Sequence, residues 1–142
     1  MTILEGVRAW LKTCPALAGE RLNVDYLPET AKSYSVEVVP CTEVVKRYFD
    51  GAAVKQFLFV LASRCFCTDD IKQNTDNIAF YEDFSRWVER QCRRRDFPAL
   101  GEDRQSRKVE VTTSGYLFTL DDHGNARYQI QMKLTYIQKG QR

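Results

Sequence analysis

Hydrophobic positions along this chain follow two spacings: several short runs alternate apolar and polar residues, and two longer runs repeat at helical intervals. The most apolar run is Val54 to Phe66. Phe57, Phe59, Leu61 and Cys65 share one parity, and Leu58, Val60, Ala62 and Phe66 share the other. Alternate side chains of a strand point to opposite faces, so this run offers apolar groups to both faces of a sheet, as a central strand covered on both sides does. Periodicity alone also admits a helix. The aromatic and β-branched content, with Asp50-Gly51 just upstream as a hairpin-turn signal, favours a strand.

The remaining elements follow in order. Ile3, Leu4, Val7 and Leu11, with Trp10 beside them, form one helical face over Thr2–Lys12. Thr2 and Glu5 have capping-box spacing, and Pro15 blocks continuation. Ala16–Glu20 reads as a turn. Arg21–Leu27 alternates as a one-sided strand ended by Pro28, and Ser33–Val39 alternates up to Pro40. Thr42–Phe49 is a third strand of mixed pattern: Lys46 and Arg47 fall on opposite parities, so either a bulge re-phases it or one face is wet.

After Cys67 the period becomes helical. Thr68, Asp69 and Asp70 favour a helix start, and the helix runs to about Arg93 with an interruption expected near Asn74–Asn77. Phe80, Phe84, Trp87 and Val88, widened by Ile78 and Tyr81, read as its core-facing stripe. Phe97-Pro98 ends that element, and Ala99–Arg107 reads as a polar, mobile loop. Lys108–Leu120 is a strand bent at Gly115. The turn Asp121–Asn125 then leads into the cleanest strand of the chain, Ala126–Ile137. Its even positions are apolar from Ala126 to Tyr136, while Arg127, Gln129, Gln131, Lys133 and Thr135 form a polar face toward water or a partner. Gln138–Arg142 reads as a frayed tail.

Strands in runs, not in alternation with helices, predict an α+β fold. The expected architecture is a mainly antiparallel sheet, with an N-terminal helix and a long central helix packed on it and a C-terminal β-hairpin. The 142 residues suit one domain, 1–142. A net charge of +2 is too small to imply nucleic acid or membrane by itself, and no apolar run reaches bilayer length. The amphipathic N-terminus does not read as a signal peptide, so the chain is expected to stay, at least initially, in the cytoplasm of the cell that makes it.

The five cysteines are odd in number and sit mostly among apolar residues, which reads as reduced thiols and not as a disulfide framework or a zinc site. The single histidine, His123, lies in a turn between acidic residues. No nucleophile elbow, Walker loop or dinucleotide fingerprint occurs, so neither an enzyme nor a cofactor is expected. Two polar groups stand out as contact candidates. One is Arg93, Arg94 and Arg95, next to Arg90, at a helix C-terminus that favours cations. The other is the polar strand face of Arg127, Gln129, Gln131 and Lys133.

An ordered set of segments carries a resemblance. It runs Asn23-Val24-Asp25-Tyr26-Leu27, Tyr34-Ser35-Val36-Glu37, Val39-Pro40-Cys41, Tyr48-Phe49-Asp50-Gly51 and Val54-Lys55-Gln56-Phe57-Leu58-Phe59. Phe80-Tyr81, Trp87, Thr113-Ser114-Gly115-Tyr116-Leu117-Phe118 and Ala126-Arg127-Tyr128-Gln129-Ile130-Gln131 complete it. In that order it resembles the small tail-completion proteins, or tail terminators, of tailed bacteriophages and prophages. The resemblance implies a structural role without catalysis: a ring, commonly a hexamer of the chain itself, on the head-proximal end of the tail tube. Such a ring stops tube polymerisation and offers a surface to the neck or connector, with the sheath as a further partner. The implied location is a virion or a headless tail-like particle. A head–tail joining protein on the connector side is the alternative, and a single-stranded nucleic-acid-binding module a more distant one. Sequence-specific nucleic acid and membrane are not expected partners.

Overall fold

The computed structural model describes residues 2–17, 19–27, 33–66, 71–120 and 125–140. Helix α1 spans Ile3–Leu11, and a 3-10 turn follows at Pro15–Leu17. Strands β1 (Leu22–Val24), β2 (Ser33–Val39), β3 (Val44–Arg47) and β4 (Ala53–Phe66) precede the long helix α2 (Ile71–Arg93). Strands β5 (Arg104–Leu120) and β6 (Asn125–Gln138) follow it. They form one six-stranded sheet of order β1-β2-β4-β6-β5, with β3 paired to β4 on the same edge as β2. All pairings are antiparallel except β1 with β2. The fold is therefore α+β with a mainly antiparallel sheet, as the element order predicts.

The core lies on one face of this sheet. Phe59 and Leu61 of β4, Val36 of β2, Val109 of β5 and the even positions Ala126–Tyr136 of β6 join one buried cluster. Val7, Trp10 and Leu11 of α1 and Tyr81, Phe84, Trp87 and Val88 of α2 complete it. The aromatic stripe of α2 is thus core. Trp10 and Trp87 meet with ring centroids 4.7 Å apart, and the Trp10 indole donates to the Asp96 carbonyl at 2.9 Å. With its nitrogen toward Asp96, the Gln91 amide donates to that carboxylate at 2.7 Å and accepts from the Trp87 indole at 3.1 Å. Both indoles are buried with a polar partner, as their N–H groups require. The capping box of Thr2 and Glu5 is present at the start of α1.

Several boundaries differ from the sequence expectation. Strand β1 stops at Val24 and not at Leu27, because Asp25 turns to φ 48. Its carboxylate then accepts the Val38 N–H at 3.0 Å. A short Asx side chain that bonds the backbone tolerates this left-handed geometry. β3 is shorter than Thr42–Phe49 and carries a register shift between Val44 and Lys46, so the mixed pattern is a bulge in an exposed strand. α2 runs unbroken through Asn74–Asn77. β5 starts at Arg104, inside the segment expected to be a mobile loop, and pairs there with Gln138. Gln138 ends β6, and Lys139 N–H donates to the Asp103 carbonyl at 2.8 Å, so this part of the expected tail is tied down. The expected cap residues Thr68–Asp70 and the Asp121–Gly124 turn lie outside the described residues.

The approach of α2 to the sheet rests on Gly115. A Cβ there would lie 2.3 Å from the Tyr81 Cβ. The Tyr81 hydroxyl passes to the sheet, where it donates to the Tyr128 carbonyl at 3.0 Å and bonds the Ser63 hydroxyl. Gly115→Ala must push the helix off β5 or distort the strand, and overpacking of this kind costs about 1–3 kcal/mol. A urea midpoint lowered accordingly, with an unchanged m-value, is the expected result.

At the opposite end of the sheet, burial, reinforced by the neighbouring Glu43 carboxylate, pushes the Tyr136 hydroxyl up to about 12. It donates to Glu43 Oε1 at 3.4 Å. An unfolded tyrosine ionises near pH ~10, so the folded chain holds this proton more tightly. The resulting stabilisation is whole below about pH 10 and is lost as the pH rises toward the folded value. Urea titrations across this alkaline range are expected to show a steeper loss for the wild type than for Tyr136→Phe.

Candidate functional site: the open sheet face and its margins

The second face of β4 is covered by side chains, and no helix or further layer of the described residues packs on it. Val60 is 5% exposed and Ala62 is fully buried, yet neither belongs to the helix-side core. The strand register explains how. Across β2, β4 and β6, Glu37, Val60 and Gln131 form one row, Ser35, Ala62 and Gln129 the next, and Ser33, Arg64 and Arg127 a third. Arg127 reaches diagonally across β4 to Glu37, two rows away, with guanidinium–carboxylate distances of 2.7 and 3.2 Å. The small Ala62 side chain lies beneath that crossing and leaves it room.

The pair is extended sideways. Arg127 Nε donates to Gln129 Oε1 at 3.1 Å, and Gln129 Nε2 donates to the Tyr116 hydroxyl at 2.7 Å. The guanidinium also lies over the Phe118 ring, 5.4 Å from its centroid. A planar guanidinium suits this double duty, gripping a carboxylate with two N–H groups while stacking on an aromatic ring. The arrangement can order and seal a sheet face. With its charge matched by Glu37 and its N–H groups directed inward, Arg127 is poorly placed to grip an external anion.

The structure therefore divides the expected contact residues. Arg127 and Gln129 act within the chain. Gln131 and Lys133 continue the same face, half-buried, between Val60 and Leu58 of β4 and Thr113 and Glu110 of β5. Arg93, Arg94 and Arg95 are exposed, but they lie on the helical side and end α2. Arg95 takes φ 57, its N–H donates to the Cys92 carbonyl, and Asp96 N–H donates back to Gln91. That is a helix C-terminal motif with arginine where glycine is usual. The arginine cluster and the polar face are not brought together: α2 packs on the core face of the sheet with the even positions of β6, whereas Arg127, Gln129, Gln131 and Lys133 alternate to the opposite face.

The margins of the sheet carry features that polarity patterns do not reveal. On the β2 side of β4, the β3–β4 hairpin ends in Tyr48-Phe49-Asp50-Gly51, with Phe49 at 114% exposure. The tip is well ordered by its own bonds. Tyr48 N–H donates to the Ala52 carbonyl at 2.8 Å, Ala52 N–H to Asp50 Oδ1 at 3.0 Å, and Gly51 takes φ 88. On the opposite margin, grooves of ≈ 570 and ≈ 520 Å³ run between α2 and β5, and both are lined by Ser85 and Ser114. Tyr116, Leu117 and Phe118 stand exposed further along β5. Phe49 could have been flagged in the sequence as an aromatic beside a Asp-Gly turn, where a side chain has little to pack against.

Among the described residues, no group of three or more His, Cys, Asp or Glu side chains is placed to hold a metal ion. Cys14, Cys41 and Cys92 are free thiols. Burial pushes the Cys14 thiol up. No helix among the described residues is long and apolar enough to cross a membrane. His123 lies outside the described residues. No protein-family model matches this chain, and no curated protein matches it.

The Arg127–Glu37 pair is about a fifth to a quarter exposed, at 19% and 24%. Removing one partner of a fully buried pair costs about 3–5 kcal/mol, and exposed pairs are worth far less. Arg127→Met is therefore expected to cost about 2 kcal/mol, part of which Glu37→Gln restores in the double variant. A double-mutant cycle by urea denaturation measures that coupling.

Proposed function

We propose that this chain is a structural building block of a phage-tail-type particle. Copies of it close into a ring on the head-proximal end of the tail tube, end tube growth and present a docking surface to the neck or connector. The ordered resemblance of its segments to tail terminators supports this reading. The observation that carries it furthest is the unlike character of the two sheet margins. One bears a rigid exposed aromatic tip and the other an exposed groove. A closed ring needs a patch on each copy that meets a different patch on its neighbour, and two unlike margins supply that.

The open face fits the same role. It is tied together by its own side chains, as suits a wall that must keep its shape within an assembly. Arg93 to Arg95, Gln131 and Lys133 are the expected contact residues that remain accessible for tube, sheath or connector. Tyr116 and Phe118 on an open sheet face also invite comparison with base-stacking platforms. The neutralised Arg127 beside them and the net charge of +2 weigh against that reading.

Light scattering at several concentrations, followed by electron microscopy with tail tubes, tests the proposal. The expected result is one ring size, commonly a hexamer, capping a single end of each tube and stopping its growth. A chain that stays monomeric and never associates with tube ends sinks the proposal. Steep salt-dependent binding to single-stranded oligonucleotides would replace it with the nucleic-acid reading.

A further inference from the structure

The ring reading leaves open which surfaces join the copies, and the following rests on that reading. From the two margins we infer that the β3–β4 hairpin tip of one copy docks by its Phe49 side chain into the α2–β5 groove of the next. Phe49 is the most exposed large apolar side chain among the described residues, with Val45 and Tyr48 exposed behind it. An exposed phenylalanine on a floppy loop would need no partner. This one is held out on a tip fixed by its own hydrogen bonds, and the chain end braces it from behind. At Gly140 an added Cβ would lie 2.3 Å from the Asp50 carbonyl oxygen, so the backbone there packs directly under the turn. Such preorganisation lowers the entropic cost of docking.

The groove matches the tip in shape and charge. Its floor is Ile78, Tyr81 and Gly115, and its space of ≈ 570 Å³ is ample for a benzyl group. At Gly115 the strand backbone itself lines the floor, with the Tyr81 side chain packed directly against it. Glu82 stands on its rim. The rim cation Arg86 is held by Asp83 at 3.1 Å and lies 4.0 Å from Glu82. The tip is flanked by Lys46, Arg47 and Lys139, which form no salt bridge among the described residues. A basic collar around an apolar plug thus meets a slot of mixed lining, with Ile78 as its apolar contact and the Glu82 carboxylate on its rim. The two patches lie at opposite margins of one sheet, so docking uses one of each per copy and propagates head to tail until the ring closes.

Two surface variants test this without touching the core. Phe49→Ser removes the plug. Ser114→Arg, at an exposed position lining the groove, adds bulk and positive charge to the slot. Each alone is expected to weaken self-association at least tenfold, as measured by sedimentation velocity, with unchanged circular dichroism and thermal midpoint. An equimolar mixture of the two retains one intact plug and one intact slot per pair, so it is expected to form dimers and nothing larger. Rings that persist in either variant, or a mixture that stays monomeric, overturn this docking while leaving the ring proposal standing. A wild-type chain that never self-associates overturns both. Phe49-dependent binding to phosphatidylserine vesicles, with rings unaffected by Phe49→Ser, gives the tip a lipid role and also overturns the docking.

Discussion

Everything in this fold answers to one constraint: β4 is apolar on both faces, but helices cover only one of them. On the helix side the solution is conventional. Phe59 and Leu61 sit under α2 and α1 in a cluster that includes the whole even-numbered face of β6. On the other side Val60 and Ala62 must leave water with no helix of the described residues above them. The chain solves this with long polar side chains laid flat. Arg127 crosses β4 to Glu37, Gln129 and Tyr116 continue the row, and Phe118 backs the guanidinium. The methylenes of such groups cover apolar surface while their polar ends pair with each other. The ion pair adds modest stability in itself, because two desolvated charges gain little over apolar substitutes. Its larger effect is on register, since only one alignment of β2, β4 and β6 lets Arg127 meet Glu37 over an alanine.

The helical side obeys a complementary rule of close approach. Tyr81 can send its hydroxyl to Ser63 and Tyr128 only because Gly115 leaves space for its ring. Gly115, Ser114 and Tyr81 also line the groove along β5. One glycine thus sets the seating of α2 and lies in the lining of a surface feature. The hairpin tip at the other margin has a similar double origin. The β3–β4 pairing resumes after the bulge between Val44 and Lys46 and ends at Arg47, and the tight Asp50-Gly51 turn leaves Phe49 nowhere to pack.

Much of this was legible in the sequence. The even positions of Ala126–Tyr136 read as buried and are buried, and the stripe from Phe80 to Val88 read as core and is partly or fully so. The capping box at Thr2 and the Asp50-Gly51 turn read correctly because they depend on neighbours in sequence. What stayed hidden depends on partners far along the chain. Nothing near Arg127 in sequence indicates Glu37, which is 90 residues away. Its face therefore read as a surface for water or a partner, when its first task is to seal β4. Asp25 ends β1 by bonding Val38, and β5 begins at Arg104 because Gln138 is there to pair with it. Single-sequence periodicity contains neither fact.

In the proposed ring the chain is a plate whose face satisfies itself and whose margins make the contacts. Hydroxyl-radical footprinting, read by mass spectrometry on the free chain and on the assembled ring, tests this directly, because phenylalanine and tyrosine report their own exposure. The account predicts that Phe49 loses most of its reactivity on assembly, while Tyr116 and Phe118 of the sealed face keep theirs. Protection of Tyr116 and Phe118 with Phe49 unchanged would contradict it, and would place the subunit contact on the face of the plate.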